Sequence, residues 1–513
     1  LKEIVHKYPL EEKIVVVDSH RIGLQISEAF IKKVYSAINL KFQTVEDLAT
    51  EFVTIYGQAV KRLKPAVGEQ FIYSILSNLK NEQKLTYFHE MEVTPSFSRS
   101  VYQAIQLIRL AGFTKDDFPY DAFITKEKAE DFYLILKSYE EILTSQGLLD
   151  KGAIFQKARE VATKKDAIFI LQSNLHLSFL EEEFLQAILP ENVDKLPLTP
   201  VYGIIPPKRS PLQSIVFGED KALSYLYELE KLRERPNIQC FIGKTEEVEI
   251  KHVLEKIKRS NDSFDEHVIF YTSTEPYVTT IYHLSEKLNI PITFSEGLSI
   301  AQSKPGRFVA HICNWIRSNY SASAFIHLLQ EGLMELGEGA PSNNKITNLV
   351  RELKIGWDKD RYIHLLKQRA DELLEKMKRA ENESKKQYYE EKQIECQWLL
   401  RWFKKAFSQL PDFASSMNVG EVLRGIRFLV ENYSKTTGAM DIIAKNALLE
   451  EIQTILPYAN EKLSLYDVFE KVSHLLSLRI MQSPPKPGHL HVASYKSGVY
   501  NNRPNVFIVG LDH

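Results

Sequence analysis

Short apolar runs without polar alternation recur at two widely separated places in this chain, and each group of runs is split by a long stretch of helix-period sequence. A run such as Lys13-Ile-Val-Val-Val-Asp18 has no polar side to offer solvent, so it must be covered on both faces, as strands of parallel sheets are. Ser19-His20-Arg21-Ile22-Gly23 punctuates it, and Leu24 to Ile31 then places apolar residues at helical spacing, which makes a β/α unit. From Val45 to Gly147 the pattern changes to amphipathic stretches such as Phe71-Ile-Tyr-Ser-Ile-Leu76, read as a helical insertion. The strand pattern resumes at Ala167-Ile-Phe-Ile-Leu171, followed by a helix over Phe179 to Leu189. Glu181, Glu182 and Glu183 open that helix, where negative charge suits its dipole.

Six prolines between residues 190 and 215 argue for extended linker, because proline fixes φ and lacks a backbone donor. Beyond a boundary near 210–236 the strand and helix rhythm returns: Ile238-Gln-Cys-Phe-Ile242, His267-Val-Ile-Phe-Tyr271 and Ile290-Pro-Ile-Thr-Phe294 are predicted strands. Helices are predicted over Glu246 to Lys258 and Tyr277 to Leu288. A second helical block fills roughly 325 to 480, where Trp398, Trp402 and Phe403 form a helix-packing stripe. Gly488-His-Leu-His-Val-Ala493 and Asn505-Val-Phe-Ile-Val509 then read as two strands around a polar turn, with His489 and His491 as ordinary surface histidines. Ending straight after a strand, the chain is expected to be the amino-terminal part of a longer protein.

At 513 residues the chain is long enough for about three or four compact units. With 44% apolar and 26% charged residues it can bury a core, which excludes a disordered tail. The formal charge of −2 says nothing about partners, so these must be sought in local patches. One such patch is the run from Lys471 to Leu511, which holds no Asp or Glu but carries Lys471, Arg479, Lys486, Lys496 and Arg503, with Tyr495 and Tyr500 among them. Cations track phosphates and rings stack on unpaired bases, so the run points to sequence-tolerant binding of single strands. Cys240, Cys313 and Cys396 lie too far apart for a paired metal or disulfide framework, and no run spans a bilayer. A cytoplasmic location is expected.

Two interrupted α/β units in this order resemble superfamily 1 helicases of the UvrD kind, and more closely the AddB/RexB branch of bacterial ATP-dependent helicase–nucleases. Ile14-Val-Val-Val-Asp-Ser-His-Arg21 is similar to motif Ia, and Phe97 to Phe113 to the first helical insertion. Glu246-Glu-Val-Glu, His267 to Tyr277 and Leu288-Asn-Ile-Pro-Ile-Thr-Phe294 are similar to the motif IV region, and His489 to Gly510 to motif V. The resemblance implies an α/β fold with two RecA-like parallel-sheet domains, each interrupted by a helical insertion. The first domain would take 1–44 and 148–210 with its insertion at 45–147; 211–236 would be linker and helix. The second would take 237–324 and 484–513 with its insertion at 325–483.

The departures from the family concern ATP. No P-loop pattern is present, and Gly243-Lys244-Thr245 is a decoy because Ile238 stands where the first glycine belongs. Gln172-Ser173 replace the Walker B acid, Tyr271-Thr272-Ser273 occupy the place of the motif IV arginine, and Val499-Tyr500 replace the motif V acid. The implied protein therefore keeps the helicase shape without its motor, and no catalytic, nucleotide-binding or metal residue is expected in this portion. Ser19, His20, Arg21, Ser273, Thr274, Tyr495, Lys496 and Arg503 are the expected DNA contacts, lining one channel. Single-stranded or end-unwound DNA and an AddA-like helicase subunit are the implied partners, in DNA end processing and repair. A PD-(D/E)XK nuclease with Mg²⁺, and in many members an iron–sulfur cluster, would lie beyond residue 513. Two alternatives stay open: an active helicase with its P-loop upstream of Leu1, and a non-catalytic scaffold docking a partner helicase.

Overall fold

A computed structural model describes residues 1–33, 37–55, 60–171, 175, 177–190, 239–496 and 503–511, without the side chains of Arg21, Lys32 and Lys33. The fold class is α/β. In the first half, β1 (Lys13–Val16), β2 (Leu40–Gln43) and β3 (Ile168–Leu171) form a parallel sheet in the order β2-β1-β3. Central β1 is buried along its whole length, as its β-branched run demands. Its side chains alternate between two cores: Ile14 and Val16 pack with Leu48, Phe52, Phe155 and Phe184, whereas Val15 and Val17 pack with Ile26 and Ile170.

The helix Val45–Ile55, read from the sequence with the insertion, packs into the sheet core through Leu48, Ala49 and Phe52. A separate core gathers residues from Leu63 to Leu148, on the helices Pro65–Asn81, Pro95–Leu110 and Lys126–Gln146. The triad Glu181 to Glu183 is accounted for locally. Glu181 closes a capping box with Ser178 and pairs with Lys151 at 2.8 Å, and Glu183 pairs with Arg159.

In the second half the strands are β4 (His267–Tyr271), β5 (Ile292–Phe294), β6 (Leu298–Ser299), β7 (Ser416–Asn418), β8 (Lys462–Ser464), β9 (Arg479–Ile480), β10 (Leu490–Ser494) and β11 (Asn505–Val509). The sheet order is β11-β4-β10-β5, all parallel, with short antiparallel pairs β6-β9 and β7-β8 beside it. The last two strands are therefore not neighbours around a turn. β4 lies between them, and parallel strands cannot be joined by a tight turn. The strand expected at Ile238–Ile242 is also absent over its described part: Gln239 to Ile242 are irregular, Ile242 is 94% exposed, and Phe241 stacks on His252. Strand propensity expresses packing on a pleated surface, and these residues have no strand to pair with among the described residues.

One large core joins this sheet to the helices between residues 304 and 476, with Val268, Phe270 and Ala493 in a small cluster of their own, whereas the first half has three separate cores. At its centre Trp315, Tyr320, Phe325, Tyr362, Phe403 and Phe407 meet mostly edge-on or tilted, with Phe403 stacked on Phe407. Trp402 and Phe403 are buried there and Trp398 packs at its margin, as the helical stripe predicts. His491, by contrast, is a core residue rather than a surface one. It lies on buried β10, 2.9 Å from the Thr293 hydroxyl, whereas His489 stays outside the strand. Among the described residues no helix is long and apolar enough to cross a membrane.

Among the described residues the halves touch in a helical seam and at an ion pair. Lys64 reaches Glu450 at 3.0 Å, Phe71 meets Tyr458 edge-on, and Lys471 donates to Gln70 and, at 2.7 Å, to Glu461. Burial lowers the Lys471 pKa, so this cation of the acid-free run serves the seam between helical sets. His474 lies in the same seam, 3.8 Å from Glu69, and burial together with Arg99 holds its imidazole below the ordinary value, against Glu69, Glu451 and Glu470. A histidine whose folded pKa is depressed binds protons more readily when unfolded, so its share of stability is present at neutral pH and is lost as pH falls below about 6.5. Thermal melts of wild type and His474→Gln are expected to converge on acidification from neutral pH, with wild type losing more; parallel curves would show that His474 does not report on the seam. The second contact is Arg503 with Glu28, at the amino edge of the second sheet.

Candidate functional site

The carboxyl ends of β4, β5 and β10 converge on a cleft of about 410 Å³ lined by Tyr271, Thr272, Thr274, Glu296, Arg479, Gln482, Ser494 and Lys496. Parallel strands leave their carboxyl ends and following loops on one edge, and that edge is where open α/β sheets take ligands. Arg479 arrives from the side because β9 pairs with β6, setting Arg479 opposite Ser299. The turn before β6 requires Gly297: its φ is +70°, and a Cβ there would stand 2.4 Å from the Ile480 carbonyl oxygen. That close approach brings the β9 wall to the sheet.

Glu296 ties the floor together. Its Oε2 accepts from the Tyr271 hydroxyl at 2.8 Å and from the Ser494 backbone N–H at 2.9 Å, and its own carbonyl accepts from Gln482 at 3.3 Å. After β10, the Lys496 N–H points to the Ser494 hydroxyl at 3.4 Å, and the Lys496 ammonium lies 5.9 Å from the centre of the Tyr495 ring. Tyr495 is 51% exposed and Arg479 and Lys496 are exposed, so a ring and two cations are presented to solvent at one cleft. Such a lining can hold an anionic, ring-bearing chain, with ammonium and guanidinium groups on phosphates and the ring on a base, while the Tyr271 and Thr272 hydroxyls donate to Glu296 and to the Gly510 carbonyl.

Of the residues singled out by sequence, Thr274 and Lys496 line this cleft and Tyr495 adjoins it. Ser273 sits beside them and donates to the Glu275 carbonyl at 3.0 Å. Ser19 and His20 follow β1 at the carboxyl end of the first sheet. Ser19 accepts from the Ile22 N–H, and His20 lies 3.2 Å from Asp47 with its side chain 68% exposed. These contacts stay within the first half and do not join the second cleft. Arg21's side chain lies outside the described residues, as do Gln172-Ser173 and the segment from Ser497 to Asn502 that holds Val499-Tyr500.

Arg503 stands at the opposite edge. It precedes β11, its side chain is 2% exposed, and it donates at 2.8 Å to the carbonyls of His267 and His489 while pairing with Glu28 at 3.0 Å. Burial lowers its pKa from the ordinary value, with Glu28 opposing. Its guanidinium is directed at the protein and not at a channel, which corrects its expected role as a strand contact. Gly243-Lys244-Thr245 likewise has a structural explanation, since Thr245 caps the helix Glu246–Arg259 by accepting from the Val248 N–H.

Sequence reasoning passed over Glu296 and Gln482, whose place depends on β5 and β9 meeting across a long separation; Arg479 was visible only as one cation of the acid-free run. Among the described residues no group of three or more His, Cys, Asp or Glu side chains is placed to hold a metal ion. No family model matches the chain, and no curated protein matches it.

Proposed function

We propose that this chain is the helicase-shaped, non-motor portion of an AddB-type exonuclease subunit, and that it guides single-stranded DNA along the carboxyl edge of its second sheet during end processing. The observation that carries the reading is the meeting of the exposed cations Arg479 and Lys496 with Thr274 at one cleft. Phosphates of a single strand satisfy such a lining, and the exposed Tyr495 ring adds a sequence-tolerant platform for a base. Two parallel sheets, each in company with a set of helices, support the resemblance in layout. Because these 513 residues lack a P-loop, ATP-driven movement is assigned to an AddA-like partner, as the resemblance implies.

Fluorescence polarisation with a labelled oligothymidylate tests the reading. Binding is expected at about 50 mM salt and should weaken steeply by about 200 mM, because each neutralised phosphate of a single strand contributes about −0.7 to the slope of log K against log salt. No binding at the lower salt removes the proposal.

A further inference from the structure

Among the described residues lining the cleft, Glu296 is an acid set with two cations, Arg479 and Lys496. A carboxylate works against any anionic ligand, so its presence at the floor asks for a physical reason. Its bonds supply one. A single oxygen, Oε2, accepts from Tyr271 at the end of β4 and from the Ser494 N–H at the end of β10, while the residue itself follows β5. One side chain thereby holds together the ends of three strands, and the held amide is the root of the turn that carries Tyr495 and Lys496.

We infer that Glu296 has two separable tasks in the cleft: its hydrogen bonds position the Ser494–Lys496 turn, and its charge keeps the grip on phosphate loose. This inference rests on the reading of the cleft as a strand-binding site. A guided strand must be held by several contacts yet released from each in turn, and a fixed negative charge beside two cations shortens the stay of every phosphate. Glutamine retains the accepting oxygen without the charge; alanine removes both. The two substitutions therefore separate the tasks.

Glu296→Gln is expected to bind labelled oligothymidylate about threefold to tenfold tighter than wild type, mainly through slower dissociation, as loss of a like charge at close range predicts. Glu296→Ala should bind about tenfold more weakly than Glu296→Gln, since both lack the charge and only alanine frees the turn. Hydrogen exchange without ligand gives an independent measure: the Ser494 amide should exchange slowly in wild type and Glu296→Gln and rapidly in Glu296→Ala. Equal affinity of wild type and Glu296→Gln overturns the charge task. Equal exchange of Ser494 in Glu296→Gln and Glu296→Ala overturns the positioning task. If wild type binds no oligothymidylate, the strand-binding reading fails; the exchange comparison, and binding of inorganic tripolyphosphate to the same three proteins, still judge Glu296.

Discussion

A chain carrying Arg479→Ala and Lys496→Ala together is expected to lose about 100-fold in affinity for a labelled oligothymidylate at low salt, and its log K against log salt slope should become shallower by about 1.4. Both side chains are exposed and line the same cleft, so their removal takes away phosphate contacts without opening the core. The melting temperature should accordingly stay within the range of ordinary surface substitutions. Lys486→Ala is the control. Lys486 belongs to the same acid-free run and is exposed, but it does not line the cleft, so its loss should change affinity by no more than about twofold. An equal effect from Lys486→Ala would mean diffuse attraction to a basic surface, and no effect from the double substitution would leave the scaffold alternative standing. Polarisation titrations at four salt concentrations distinguish the three results.

Residues read in order reveal some of these strands and conceal others. β1, β3, β4, β5, β10 and β11 were legible as short, largely apolar runs, and β1 and β4 are buried at every position inside their parallel sheets, whereas β11 is an edge strand with Val506 and Ile508 about half exposed. β2 was not, because Leu40-Lys-Phe-Gln43 is a half-buried edge whose short alternation carries little signal. Strand order was out of reach for a different reason. Placing β4 between β10 and β11 pairs Asn505 with His267, more than two hundred positions away in the chain, and no local pattern encodes such a partner. The cleft inherits this limit. Thr274 and Lys496 could be found by the strands they follow, whereas Glu296 and Gln482 enter through pairings of β5, β6 and β9. Charge was misleading in a specific way, since a count of cations cannot say which are buried. Lys471 and Arg503 look like members of the same basic run as Lys496, yet one is locked between helical sets and the other behind the sheet.

Arg503 provides the converse of the cleft experiment, a basic substitution that should damage the fold and spare the binding. Arg503→Met keeps much of the side chain's volume but removes a guanidinium that is 2% exposed and pairs with a Glu28 carboxylate that is 22% exposed. It also leaves the carbonyls of His267 and His489 without that donor. Breaking a buried pair by removing one partner costs about 3–5 kcal/mol, well beyond an ordinary surface change. Because the pair joins the helix His20–Lys33 of the first half to the amino edge of the second sheet, the loss should fall on the contact between halves. Chemical denaturation is expected to show the destabilisation, and a cycle with Glu28→Gln should show the two changes costing less together than their sum by about 1 kcal/mol or more, as contacting residues do. Protein kept folded in the cold should bind oligothymidylate as wild type does, because Arg503 lies at the edge opposite the cleft. A drop in affinity matching that of the Arg479 and Lys496 substitutions, with stability intact, would return Arg503 to the strand. Additive costs in the cycle would separate it from Glu28, and among the described residues the contact between halves would then rest on the helical seam.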